Sequence, residues 1–153
     1  MNTPQDFTSD LPPGVRAIVG ELSRFKVDPE HLDLQRISDF IEALFQEIGS
    51  EDIGDVIAHA VSHRLLSQAQ GNKVIEVAMW CGQTNGQQLS ATIERWLEEG
   101  ASTIKIELAL AQGTFPFSTQ TKMADVLTAI AKRHAQFAPT INGMIERRRA
   151  QEV

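Results

Sequence analysis

Apolar residues recur every three or four positions up to Gln70, lose that rhythm twice between Gly71 and Gln120, and then regain it. A three-to-four spacing marks helices that bury one face. Val15, Ile18, Val19, Leu22 and Phe25 mark a first short helix after Pro12-Pro13. Asp28-Pro29-Glu30 predicts the next helix start, because Asp accepts from free N–H groups and Pro at the first helical position gives up no bond. Leu34, Ile37, Ile41, Leu44, Phe45 and Ile48 form its core stripe, and Gly49 is a left-handed stop. Ser50 caps a further helix with Glu51 and Asp52 in its first turn and Ile53, Val56, Ile57, Ala60, Val61 and Leu65 on its core face. The short Gly49-Ser50 link predicts antiparallel neighbours, and Gly71-Asn72 ends this helical front half.

The centre reads differently. Residues 73–81, Lys-Val-Ile-Glu-Val-Ala-Met-Trp-Cys, form a buried strand or one short helix, with β-branched enrichment on the side of the strand. Gly82-Gln83-Thr84-Asn85-Gly86 is a loop, and Asn85 with Gln88 makes a capping-box-like start. Leu89, Ile93, Trp96 and Leu97 stripe the helix that follows, which stops at Gly100. Within 103–111, Ile104, Ile106, Leu108 and Leu110 alternate with other residues, as in a half-buried strand. Thr114-Phe115-Pro116-Phe117 would add an edge piece, since Pro116 lacks a ladder donor. Met123, Val126, Leu127 and Ile130 stripe another helix, broken by Ala138-Pro139, and Ile141, Met144 and Ile145 mark the last one.

The expected fold is therefore α+β: a mostly helical single domain over residues 13–153 with a small two- or three-stranded sheet from residues 73–117, after a flexible arm at 1–12. The alternative is an all-α bundle, because Glu107, Leu108, Ala109, Leu110 and Ala111 are good helix formers.

Composition narrows the class without naming a chemistry. A chain of 153 residues with 42% apolar content buries a real core rather than staying disordered. No apolar run reaches the roughly 18–20 residues of a membrane span, and the N-terminus lacks a signal-peptide pattern. One cysteine, Cys81, excludes an internal disulfide framework, so a cytoplasmic location and no membrane association are expected. The net charge of −6 is uneven: residues 1–70 hold 5 Lys+Arg against 12 Asp+Glu, whereas residues 119–153 hold 6 against 3. An acidic front and a basic tail can attract one another between two copies of the chain. Overall acidity disfavours a dedicated nucleic-acid binder, whose affinity rests on phosphate contacts.

Each candidate site has an ordinary structural explanation beside it. Glu51, Asp55, His59 and His63 follow one another at four-residue spacing, a geometry able to hold a metal, but the row lies opposite the apolar stripe and lacks a His-Glu-x-x-His pattern. Cys81 precedes the Gly82–Gly86 loop, where a thiol beside a helix start could be reactive, yet no nucleophile motif surrounds it. The loop itself lacks the Gly-Lys-Ser/Thr of a P-loop. Ser118 and Thr119 stand at a helix start, as caps or as phosphoacceptors. The order of strand, helix, Glu98-Glu99-Gly100-Ala101, strand and Ser118-Thr119 resembles the STAS-type anti-sigma-factor antagonists over residues 73–135, and that likeness implies a phosphorylatable Ser at the helix start. Phe117 stands where that family has Asp, and the likeness does not place the chain in the family. Residues 130–145 have the outline of a helix-turn-helix, with Lys132, Arg133, Arg147, Arg148 and Arg149 suited to phosphates or to an acidic partner.

No constellation joins a nucleophile, a base and an oxyanion donor, and no cofactor or metal motif is present. The expectation is a non-enzymatic interaction or regulatory protein that self-associates, with the basic C-terminal residues as its contact. The alternatives are a DNA-binding regulator using the basic C-terminal helices and a small enzyme with a site near Cys81 and Gly82–Gly86.

Overall fold

The computed structural model describes residues 11–28, 30–48, 53–80, 85–112 and 114–151. Among them are eight α-helices, one 3-10 turn and no strand. The chain forms two compact units, residues 1–89 and 90–153. No described helix is long and apolar enough to cross a membrane. The expected arm at 1–12 lies mostly outside the described residues, but Leu11 is buried.

The first unit holds α1 (Pro13–Leu22), α2 (Leu34–Ile48), α3 (Ile53–Ser62) and α4 (Gln68–Ala78). α1 buries Val15, Val19 and Leu22, and Phe25 falls beyond its end. α2 starts later than Asp28-Pro29-Glu30 predicts. Asp33 is the residue that opens it: Oδ1 accepts from Arg36 N at 3.1 Å. Asp28 instead closes a turn, its Oδ1 accepting from Glu30 N at 3.1 Å. The later start leaves Leu34 outside the core, 52% exposed, while Ile37, Ile41 and Leu44 are buried. α2 packs on α1, α3 and α4, which makes it the central element of this unit. Gly49, Ser50, Glu51 and Asp52, expected as stop, cap and first turn, lie outside the described residues.

The first of the two expected strands is helical. Ser67 and Gln70 form a capping box: Ser67 Oγ accepts from Gln70 N at 3.0 Å, and Gln70 Oε1 accepts from Ser67 N at 2.9 Å. α4 then runs through Gly71-Asn72 rather than ending there, and buries Gly71, Val74, Ile75 and Ala78 at helical spacing. Gln70 reaches further, Nε2 donating to the carbonyls of Ser23 at 2.8 Å and Phe25 at 3.1 Å. One side chain thus starts α4 and fixes the segment after α1.

The second unit begins within α5 (Asn85–Glu99) and continues through α6 (Thr103–Leu110), α7 (Gln120–Arg133), a 3-10 turn at Ala135–Phe137 and α8 (Ala138–Gln151). Leu89, Ile93, Trp96 and Leu97 are buried as their spacing predicts, and Gly100 stops α5 at φ +60°. The second expected strand is α6. Ser102 caps it, accepting from Lys105 N at 3.2 Å, and Ile106, Leu108, Ala109 and Leu110 are all buried. Leu108, Ala109 and Leu110 are buried in succession, which an alternating strand with one buried face would not give, so the alternation carried no information about the backbone. With both runs helical, the sheet over residues 73–117 is replaced by the all-α arrangement, and the strand order behind the STAS resemblance is absent.

Thr114 to Thr119 form an irregular segment instead of an edge strand. Phe117 takes φ +67°, and its N–H donates to Glu94 Oε2 at 2.9 Å. Thr119 caps α7 by accepting from Lys122 N at 3.1 Å. α7 ends at Arg133, ahead of the expected Ala138-Pro139 break, and Pro139 sits in the first turn of α8, where its missing donor is harmless. Thr119→Ala should lower the stability of the second unit by about 1 kcal/mol through the lost cap, measured as a lower denaturation midpoint.

Candidate functional site

α5 and α7 leave an open groove in the second unit, with a cavity volume of about 440 Å³. Leu97, Gly100, Val126, Ala129 and Ile130 supply its apolar surface, while Glu98, Glu99, Lys122, Asp125 and Arg133 supply charge of both signs. Leu97 and Ile130 are buried by the core stripes of their helices, Val126 is half-buried and Ala129 is exposed. The exposed apolar surface of the groove therefore comes from α7, through Val126 and Ala129. Lys122 Nζ lies 3.2 Å from Glu98 Oε2, and both side chains are half exposed, so this pair can open at little cost. His134 Nε2 lies 2.9 Å from Gly100 O and joins the ends of α5 and α7.

The five basic residues expected as one partner-binding cluster are not brought together. Arg148 Nη1 is 3.5 Å from Met123 Sδ, so α8 runs back along α7 and its C-terminal end meets the start of α7. Lys132 and Arg133 are exposed at the other end, roughly 15 Å away at 1.5 Å per helical residue. An antiparallel pair of this kind also differs from a helix-turn-helix, whose helices meet at about 90–120°. Arg147 and Arg149 are exposed, but Arg148 is buried. Its Nη1 donates to Pro116 O at 2.8 Å, and its guanidinium lies 5.7 Å from the Phe115 ring centroid. Only Arg133 of the five reaches the groove.

The other candidates separate in the same way. Thr119 uses its hydroxyl as a cap, and Ser118 is exposed beside it. Cys81, Gly82, Gln83 and Thr84 lie outside the described residues. Gly86 lies within α5, and a Cβ there would come within 2.9 Å of Met79 O, so close backbone approach explains that glycine. Glu51 is outside the described residues; Asp55 and His59 are half-buried and His63 is exposed, with the two imidazole centroids 4.0 Å apart. Among the described residues, Asp28, Glu30 and His31 place ligand-type atoms within 4.8 Å of one another, all exposed. Trp80, which the strand reading put in the sheet, is 81% exposed just past α4.

The groove was partly legible: its helices and their stripes were predicted, but not that Val126 and Ala129 would stay uncovered. The burial of Arg148 had a readable signal. It lies four residues after Met144 and seven after Ile141, on the inward stripe of the last helix. The chain matches no protein-family model, no curated protein and no solved structure at a significant level.

Proposed function

We propose that this chain is a non-enzymatic protein that acts by protein–protein contact, with the α5–α7 groove as its contact face and a second copy of the chain as a partner. The observation that carries the reading is the groove's make-up: an apolar floor left uncovered at Val126 and Ala129, between rims that hold three carboxylates and two cations. A two-fold interface must be self-complementary, and a rim with both signs lets the acids of one copy meet the cations of the other. An apolar floor contributes affinity, and the rim fixes register. A cytoplasmic setting suits a chain with one cysteine and no described membrane-spanning helix.

Sedimentation velocity over a range of concentrations tests this. Wild-type protein should associate as concentration rises, and Ala129→Glu should remain monomeric over the same range with an unchanged helical spectrum. Ala129 is exposed, so the added carboxylate disturbs the floor rather than the fold. A wild type that stays monomeric, or a variant that associates equally well, would remove the groove as the self-contact.

A further inference from the structure

We propose that a pocket in the first unit, between the end of α1 and the start of α2, binds an oxyanion carried on an apolar body, such as a phosphate monoester of a small organic molecule. Its cavity volume is about 280 Å³. Arg24 and Lys26 enter it from the segment after α1, and Arg36 enters from the first turn of α2. The unit carries 6 Lys+Arg against 13 Asp+Glu, and three of those six cations line this one cavity. Beside them, the wall is apolar, with Phe25 and Phe40 half-buried.

Two further observations make these cations a site rather than a scatter. Arg24 Nη1 and Arg36 Nη2 both turn toward one carboxylate, Glu21, at 3.7 Å and 3.9 Å. Those separations exceed hydrogen-bond length. Glu21 is thus a loosely held internal anion shared by two guanidiniums, and an incoming oxyanion replaces weak pairs with short charge-assisted bonds. The backbone that carries two of these cations is also held in place. Gln70 Nε2 fixes the Arg24–Lys26 segment through Ser23 O at 2.8 Å and Phe25 O at 3.1 Å, and Arg36 lies 5.8 Å from the Phe40 ring centroid. A backbone fixed before binding leaves only the exposed side chains to be ordered when a ligand arrives.

The facing charges leave room for an anion. Asp33 lines the pocket with its Oδ1 turned to the α2 backbone, accepting from Arg36 N at 3.1 Å. His31 also lines it, with Nδ1 2.8 Å from Asp28 Oδ1. Among the lining residues three cations, Arg24, Lys26 and Arg36, stand against two carboxylates, Glu21 and Asp33, while carboxylates farther away on the unit are screened over about 8 Å at physiological salt.

Nuclear magnetic resonance titration of the full chain with phenyl phosphate tests the proposal. Saturable shifts should concentrate in residues 21–40. Glu21→Gln, which removes the internal competitor, should tighten binding about threefold or more, and Arg36→Gln should weaken it about tenfold. Inorganic phosphate, with no ring to lie on Phe25 and Phe40, should bind more weakly than phenyl phosphate. If Arg36→Gln disturbs α2, Arg24→Gln in the preceding segment gives the same reading. Shifts that never saturate in both wild type and Glu21→Gln would overturn the site. So would an arginine variant that keeps wild-type affinity, and equal binding of inorganic phosphate would overturn the apolar half of the ligand.

Discussion

Ile41→Ala should destabilise the first unit by about 2–5 kcal/mol, the range for deleting a fully buried aliphatic side chain. Ile41 has no exposed surface and lies midway along α2, the helix that α1, α3 and α4 all pack against. A cavity there is bordered on several sides, so no single helix can move in to fill it. The matched control is Leu34→Ala at the start of the same helix. Leu34 is 52% exposed, and its truncation should stay within about 0.5 kcal/mol. Urea denaturation followed by far-ultraviolet circular dichroism should show a lower midpoint for Ile41→Ala and an unchanged slope. Equal midpoints for the two variants would mean that α2 is not the centre of this unit.

The contrast between those two positions shows what was legible in the sequence. Periodicity named Ile37, Ile41 and Leu44 correctly, because a long amphipathic helix repeats its signal several times. It overreached at Leu34, because the helix start was read from Asp28-Pro29-Glu30 rather than from Asp33. A capping residue is one local signal, and several acidic residues near a helix start compete for the role. Residues 73–81 and 103–111 failed for a different reason. β-branched residues and short alternations look alike in a strand and in a helix buried on most sides. The deciding information was a cap upstream in each case: Ser67, boxed with Gln70, for one helix, and Ser102 for the other. Gly71, read as a terminator, is buried inside α4 at the spacing of Val74, Ile75 and Ala78.

Candidate sites were less legible than elements because they depend on which helices meet. Lys132, Arg133, Arg147, Arg148 and Arg149 are close in sequence, but the α7–α8 turn sends the two groups to opposite ends. Conversely, no local motif joins Arg24, Lys26 and Arg36, and it is α1 and α2 that place them around one cavity. Charge clusters in space follow topology, and topology is the part of this fold that local pattern did not supply.

Arg148→Ala should lower the stability of the second unit by about 2–4 kcal/mol, summed from an orphaned carbonyl, a lost cation–aromatic contact and lost packing. Arg148 is 8% exposed and donates to Pro116 O at 2.8 Å. Removing the donor leaves that buried carbonyl without this partner, and the guanidinium no longer covers Phe115. The segment so released also contains Phe117, whose φ of +67° is unfavourable for a side chain with a Cβ. Only its neighbours hold it there, among them Glu94 through the Phe117 N–H at 2.9 Å. Arg148→Lys should fall between wild type and alanine, since a single ammonium can replace the bond to Pro116 but not the flat face over Phe115. Arg147→Ala and Arg149→Ala, both at exposed positions, should each stay within about 0.5 kcal/mol. Tryptophan fluorescence separates the units: Trp96 is 1% exposed in the second, and Trp80 is already 81% exposed in the first. The emission change on unfolding therefore follows Trp96. Its midpoint should fall in Arg148→Ala and hold in the two neighbouring variants. Three equal midpoints would return Arg148 to the surface with Arg147 and Arg149.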